Sequence, residues 1–225
     1  YYAVSNDGGA SFSQNYRVAN HSCECCRIAI APKGPKNIAI LWRQVFGEDV
    51  RDHAIAELTP SGKILTTNRA SYDQWHINAC PHHGPTMIQS TLSEDYHMSW
   101  FTNGDLNQGI YYARYSFDDK RSADIFQVDG QPGAGHPFLA EHNEKLHLVW
   151  KGFNGRETLL NLITSEDDGA TWSESTTLLK TEKGSDHPSL IQNSDSLFLS
   201  WHTDEFGYVL LDISEDARRL SNHGN

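Results

Sequence analysis

A period of about fifty residues constrains this chain more than any other feature, because units repeating at that spacing must stack or ring around one another to bury their apolar faces. Trp42, Trp100, Trp150 and Trp201 each close an apolar run, at spacings of 58, 50 and 51 residues. Upstream of each lies another short run: Cys26-Arg27-Ile28-Ala29, Gly84-Pro85-Thr86-Met87, His136-Pro137-Phe138-Leu139 and His187-Pro188-Ser189-Leu190. Proline at a first strand position removes no ladder hydrogen bond. A third run follows each tryptophan and leads into a polar turn, and Ser116, Ser165 and Ser214 open three of those turns at intervals of 49 and 49 residues. No long stretch keeps an i, i+3, i+4 apolar rhythm free of Gly or Pro, so helices are not expected. The pattern predicts an all-β chain, a β-propeller of four-stranded blades forming a single domain over 1–225. The blades fall at about 1–20 (partial), 21–74, 75–131, 132–182 and 183–225.

Two turns carry a fuller pattern, Ser-x-Asp-x-Gly-x-(Ser/Thr)-aromatic. One uses Ser5, Asp7, Gly9 and Phe12, the other Ser165, Asp167, Gly169 and Trp172. The Ser and Asp side chains can bind nearby backbone amides, Gly supplies a positive φ, and the aromatic is expected to tuck the loop against its sheet. This pattern resembles the Asp-box of the sialidase-like (BNR repeat) β-propellers. The resemblance implies six blades in the intact protein, of which this chain would hold about four and a half, with its N-terminal part and export leader missing. A complete ring of four or five blades is the alternative.

With 225 residues and 38% hydrophobic content the chain can bury a sizeable core. Its formal charge of −11 argues against nucleic acid or an anionic membrane as partner, since the sequence shows no basic patch to offset it. No apolar run is long enough for membrane insertion as a helix.

In a propeller the first strand of each blade lines the central channel, and the loops entering it share a face with those joining second and third strands. The Asp-box turns fall on the opposite face. Aligning the repeats brings Cys26, Gly84, His136 and His187 to the channel mouth, with Arg43, Phe101, Lys151 and His202 following the tryptophans on the same face. All 4 cysteines lie in two segments, Cys23-Glu24-Cys25-Cys26 and Ala79-Cys80-Pro81-His82-His83. Both lead into neighbouring first strands. A subset of Cys23, Cys25, Cys26, Cys80, His82, His83, His136 and His187 would suit a soft metal, copper or zinc. The other reading is a disulfide from Cys80 to Cys23, Cys25 or Cys26, favoured in an exported protein.

By the same resemblance, sialidases use an arginine triad for a substrate carboxylate, a Tyr nucleophile activated by Glu, and an Asp acid. The triad candidates are Arg43, Arg51 and Arg156, with Arg43 and His202 also placed to touch a ligand; the sialidase Arg-Ile-Pro signature is absent. The segment from Trp75 to Pro85, paired with Cys-x-Cys-Cys, is similar to a Cys/His-rich subgroup of exported bacterial proteins known only as sialidase-like. The expectation is an exported propeller that binds a ligand or soft metal at its channel mouth without sialidase activity. The alternatives are an exo-sialidase or other glycoside hydrolase acting on acidic sugars, and a non-catalytic scaffold for a protein partner. Expected ligands are therefore a small molecule, a metal or a glycan.

Overall fold

The computed structural model describes residues 1–214; the end of the last unit, including the turn beyond Ser214, lies outside the described residues. Among the described residues there is no helix, and strands form four antiparallel sheets. The first holds β1 (Ala29–Lys33), β2 (Asn37–Phe46), β3 (Val50–Leu58) and β4 (Ile64–Arg69) in that order. The second holds β5 (Thr86–Gln89), β6 (Tyr96–Asn103), β7 (Gln108–Ser116) and β8 (Arg121–Asp129). The third runs β9 (Gly135–His142), β10 (Lys145–Phe153), β11 (Thr158–Ser165) and β12 (Thr176–Thr181). The fourth shows β13 (Ser189–Gln192), β14 (Leu197–Thr203) and β15 (Gly207–Asp212). First strands neighbour one another, β1 against β5, β5 against β9, and β9 against β13, so the sheets are the blades of a β-propeller around a common axis. Residues 1–18 add only a short hairpin, closed by the Tyr2–Tyr16 bridge, and it leans on the first blade through a Tyr2 hydroxyl donated to the Thr59 carbonyl.

Each second strand carries a buried tryptophan two to four residues before its end, and each indole N–H is satisfied. Trp100 donates to Asp73 and Trp150 to Asp129, at 2.9 and 2.7 Å; Trp201 donates to the Asp186 carbonyl. In these three, the acceptor sits at the end of the preceding blade's last strand (Asp129) or on the connection that follows it (Asp73, Asp186), so the tryptophan both fills the core and ties one blade to the next. A buried indole keeps its place when its N–H finds such a partner. Two prolines, Pro85 and Pro188, stand just before their strands, but Pro137 lies inside β9. That is tolerated because β9 is an edge strand and its pairing with β10 is bulged between Val149 and Lys151.

The two Ser-Asp-Gly turns make the same hydrogen bonds. Ser5 Oγ donates to Asp7 and accepts from Gly9 N, while Asp7 accepts from both N and Oγ of Ser11. Ser165, Asp167, Gly169 and Thr171 repeat the set. The Ser11 bonds, side chain first, hold the Asp7 carboxyl down at about 2. Only one turn docks as expected. Trp172 packs on Tyr112 and Phe126, but Phe12 is 66% exposed and makes no ring contact among the described residues. The small hairpin of residues 1–18 brings no sheet surface alongside it.

His147, buried in β10, donates Nδ1–H to the Lys145 carbonyl, and burial pulls its pKa from 6.5 to about 4. The unfolded chain takes up this proton near pH 6.5 and the folded one only near 4, so its contribution is intact above 6.5 and drains as the pH falls. By pH 4 that group alone removes about 3 kcal/mol. His147→Gln is therefore expected to flatten the acid limb of a stability–pH curve measured by urea unfolding; an unchanged slope between pH 6.5 and 4 would refute this.

Candidate functional site

Residues 21–23 pair with the channel end of β2: Cys23 N donates to the Arg43 carbonyl and Val45 N to that of His21. This fixes the start of the Cys-x-Cys-Cys loop over the blade. Cys23 Sγ lies 3.7 Å from Cys25 Sγ and 2.9 Å from Cys26 Sγ, and ligand atoms of all three fall within 4.8 Å of one another. All four cysteines are free thiols; Cys23 and Cys26 are buried, Cys25 half-buried and Cys80 exposed. The loop at Cys80 lies near the trio, close enough for its thiol and the His82 backbone to influence Cys25, but Cys80 is not among the three thiols whose ligand atoms fall together.

The thiols are not equivalent. Burial, then the hydrogen bond to Cys23, pushes Cys26 far up. For Cys25 burial acts the same way, but hydrogen bonds from Cys80, the His82 backbone, Cys23 and Cys26 outweigh it and hold its thiol below the ordinary value. Cys80, the partner on the other side of that bond, is raised. Cys25 thus gives up its proton more readily than Cys26 or Cys80, and thiolate is the form that binds metal.

Arg43 is 1% exposed and does not face the channel as a ligand contact. Its Nη1 donates to the Arg51 carbonyl at 2.7 Å, Nη2 to those of Phe101 at 2.6 Å and His83 at 3.2 Å, and Nε again to His83. The guanidinium also lies over Trp75 at 4.7 Å. Every edge of its planar fork is occupied, so Arg43 is a joint between the first two blades and not a substrate arginine. The other candidates are no nearer to forming a triad. Arg51 Nε donates to the Ile77 carbonyl, and Arg156 is an exposed partner of Glu182. His202 stands at the rim, 3.9 Å from Asp186.

The eight candidate metal ligands split into two groups. The thiols form one, with exposed His82 beside them; the imidazoles of His83, His136 and His187 form the other, a stacked column. Ring centroids are 4.2 Å apart from His83 to His136 and 3.5 Å from His136 to His187, and His83 rests on Phe101 at 4.2 Å. Three blades therefore bring together residues up to 104 positions apart. His136, with φ of 55°, is itself part of a bulge in β9, where it and Pro137 together oppose the single Trp150 of β10, a strained setting that re-aims its side chain. Burial, then Arg43, takes His83 to about 4; burial, then His83 and His187, takes His136 to about 2. All three rings are neutral at neutral pH, since burial and then Arg27 lower His187 as well.

Arg27 escapes the repeat alignment, which singles out the residue before it. Its position as the first cation on the approach to β1 was the one available signal. It acts electrostatically on all three imidazoles, and Lys151, which pairs with Gly135 just past the β9 bulge, on two of them. A local positive patch thus exists in an acidic chain, assembled from residues too far apart to show in the sequence.

No family model matches the chain, and no curated protein matches it. Solved structures do resemble it. A GH43_12 protein retrieved from a capybara gut metagenome superposes with a TM-score of 0.59 at 11% identity, over 84% of this chain and 39% of that one. The alpha-L-arabinofuranosidase PaAbf62A from Podospora anserina, solved in complex with cellotriose, gives 0.53 at 10%, over 96% and 68%. An exo-beta-1,3-galactanase from Phanerochaete chrysosporium gives 0.50 at 10%, over 82% and 48%. The chain spans less than half the length of two of these three. At such identities the likeness shows a shared fold and nothing finer; none of the three is named as a sialidase.

Proposed function

We propose that this propeller is an exported protein that holds a soft metal ion, zinc or copper(I), in the thiol pocket of Cys23, Cys25 and Cys26, with Cys80 as the closing ligand. The observation that carries the reading is the convergence of three free thiols on one point, with the loop carrying Cys80 near enough to Cys25 to offer a fourth. Sulfurs on a tetrahedral zinc sit about 3.8 Å apart, given Zn–S bonds of about 2.3 Å. The Cys23–Cys25 separation of 3.7 Å matches that edge, and the 2.9 Å between Cys23 and Cys26 would open on loading. Thiolate donors favour copper(I) and zinc over hard cations. Arg43 supports the site electrostatically, lowering the energy of thiolate on Cys26.

Protein purified under reducing conditions is expected to carry about one zinc or copper per chain by elemental mass spectrometry. Cys25→Ser should weaken that binding by about a hundredfold or more, as removal of a first-rank ligand exceeds the loss from its supporting partners. Reduced protein that stays metal-free, and whose melting point neither zinc nor copper(I) raises, would defeat the reading.

Action on a glycan is the second reading, supported by the fold shared with sugar-degrading enzymes. Outside the sialidase type with its Tyr nucleophile, glycoside hydrolysis generally uses two carboxyl groups facing across a cleft, roughly 5–10 Å apart. Two carboxylates at this end of the blades are buried and engaged, Asp52 by Arg69 and Asp73 by Trp100 and Asn107. Turnover of an arylated sialoside or arabinoside by the full-length protein would reverse the ranking.

A further inference from the structure

Among the described residues, two cations at the channel mouth make no ion pair. Arg27 makes no hydrogen bond or ion pair among the described residues, and Lys151 donates only to the Ser185 carbonyl at 2.9 Å. The acidic group that influences Lys151, Asp186, stands instead at 3.9 Å from His202. Unpaired cations that act on the same two imidazoles, within a chain of net charge −11, require an explanation.

Glycine makes the gathering possible. A Cβ on Gly84 would lie 2.5 Å from Arg27 Cβ, and one on Gly135 would lie 2.7 Å from the His83 ring; neither glycine has a positive φ. What these positions require is therefore the missing side chain, which lets three blades close on Arg27 and the imidazole column. The rings then face the channel in a defined sense. Nδ1 of His83 and of His136 is buried without a partner, while neither Nε2 is. A buried lone pair is less costly than a buried orphan N–H, so the proton sits on Nε2, at the open edge. Both rings present N–H donors where Arg27 and Lys151 present charge.

We propose that the channel mouth binds a doubly charged tetrahedral oxyanion, phosphate or sulfate, free or as an ester, between Arg27 and Lys151 with His83 and His136 donating from Nε2. Two cations on different blades match a dianion better than a monovalent carboxylate, and parallel N–H donors suit its several oxygens. After burial and the neighbouring rings, the field of these two cations also keeps the imidazoles neutral, the field that an anion would neutralise. The site shares no ligand atom with the thiol pocket, so it stands or falls independently of metal binding.

Calorimetric titration of the full chain with inorganic phosphate, inorganic sulfate, p-nitrophenyl phosphate and acetate, at matched ionic strength in chloride, tests this. Phosphate and sulfate should bind and acetate should not; tighter binding of the ester assigns an organic ligand, and tighter binding of the free ion an inorganic one. Arg27→Gln and Lys151→Gln should each weaken phosphate by about ten- to a hundredfold, the worth of a charge-assisted contact. Lys151→Arg should retain binding. Phosphorus NMR line broadening of phosphate by the unaltered protein, reversed by sulfate and not by acetate, gives a measure that no variant's folding affects. Acetate binding as tightly as phosphate, or Gln variants within twofold of the native protein, would overturn the proposal.

Discussion

Gly169→Ala is expected to cost about 3–4 kcal/mol, and Gly9→Ala, at the same position of the same turn, only about 1–2. Both glycines have positive φ, 83° and 92°, so each alanine carries the left-handed penalty. Their surroundings differ. A Cβ at Gly9 meets nothing within 4 Å, whereas one at Gly169 would fall 1.9 Å from the Tyr112 hydroxyl. That hydroxyl is the head of a buried relay. Tyr112 donates to His97 Nδ1 at 2.7 Å, and His97 Nε2–H donates to Asp168 at 2.9 Å. Asp168 also accepts from Ser90 and pairs with Arg114 at 3.2 Å. The relay joins the second blade to the third, and burial keeps His97 neutral despite the nearby carboxylate. Pushing Tyr112 aside breaks a buried hydrogen bond, which adds about 1–3 kcal/mol to the backbone strain. Urea unfolding of the two variants measures the difference. Equal losses would mean that the third-blade turn contributes nothing beyond its own hydrogen bonds.

Replacing Arg43 should be more damaging still. Arg43→Met is expected to lower stability by about 5 kcal/mol, because it orphans three buried carbonyls and strips the cation from Trp75. Arg43→Lys should recover less than half of that. An ammonium is a point charge on a flexible stem and cannot reach the carbonyls of Arg51, His83 and Phe101 together. If the lysine variant unfolds at the same urea concentration as the native protein, the fork geometry is irrelevant and Arg43 acts by charge alone. A residue placed to touch a ligand would behave differently, leaving stability nearly unchanged when replaced.

Much of this architecture was readable before any coordinates. The tryptophan period marks the second strands, and the turns with serine at their head mark where third strands end. The convergence of His136 and His187 followed from aligning the repeats. Other features left weaker traces. The acceptors of the indole N–H groups, Asp73, Asp129 and Asp186, precede their tryptophans by 27, 21 and 15 residues, an irregular interval that no periodicity search isolates. The division of the Cys/His set into a thiol pocket and an imidazole column left no trace at all, because the two are separated by Arg43 and the His83 carbonyl it binds.

The boundary follows the range of the interactions. In the Ser-Asp-Gly turns every decisive hydrogen bond spans two to four residues, so the sequence carries the whole instruction and both copies fold alike. Whether the aromatic of each turn then docks, and whether Arg43 meets a ligand or a ring of carbonyls, depends largely on atoms supplied from 40 to 60 positions away. The same holds for the unpaired charges of Arg27 and Lys151, which no run of basic residues announces. Local chemistry wrote the blades; only closure of the blades around one axis determined which side chains face each other there.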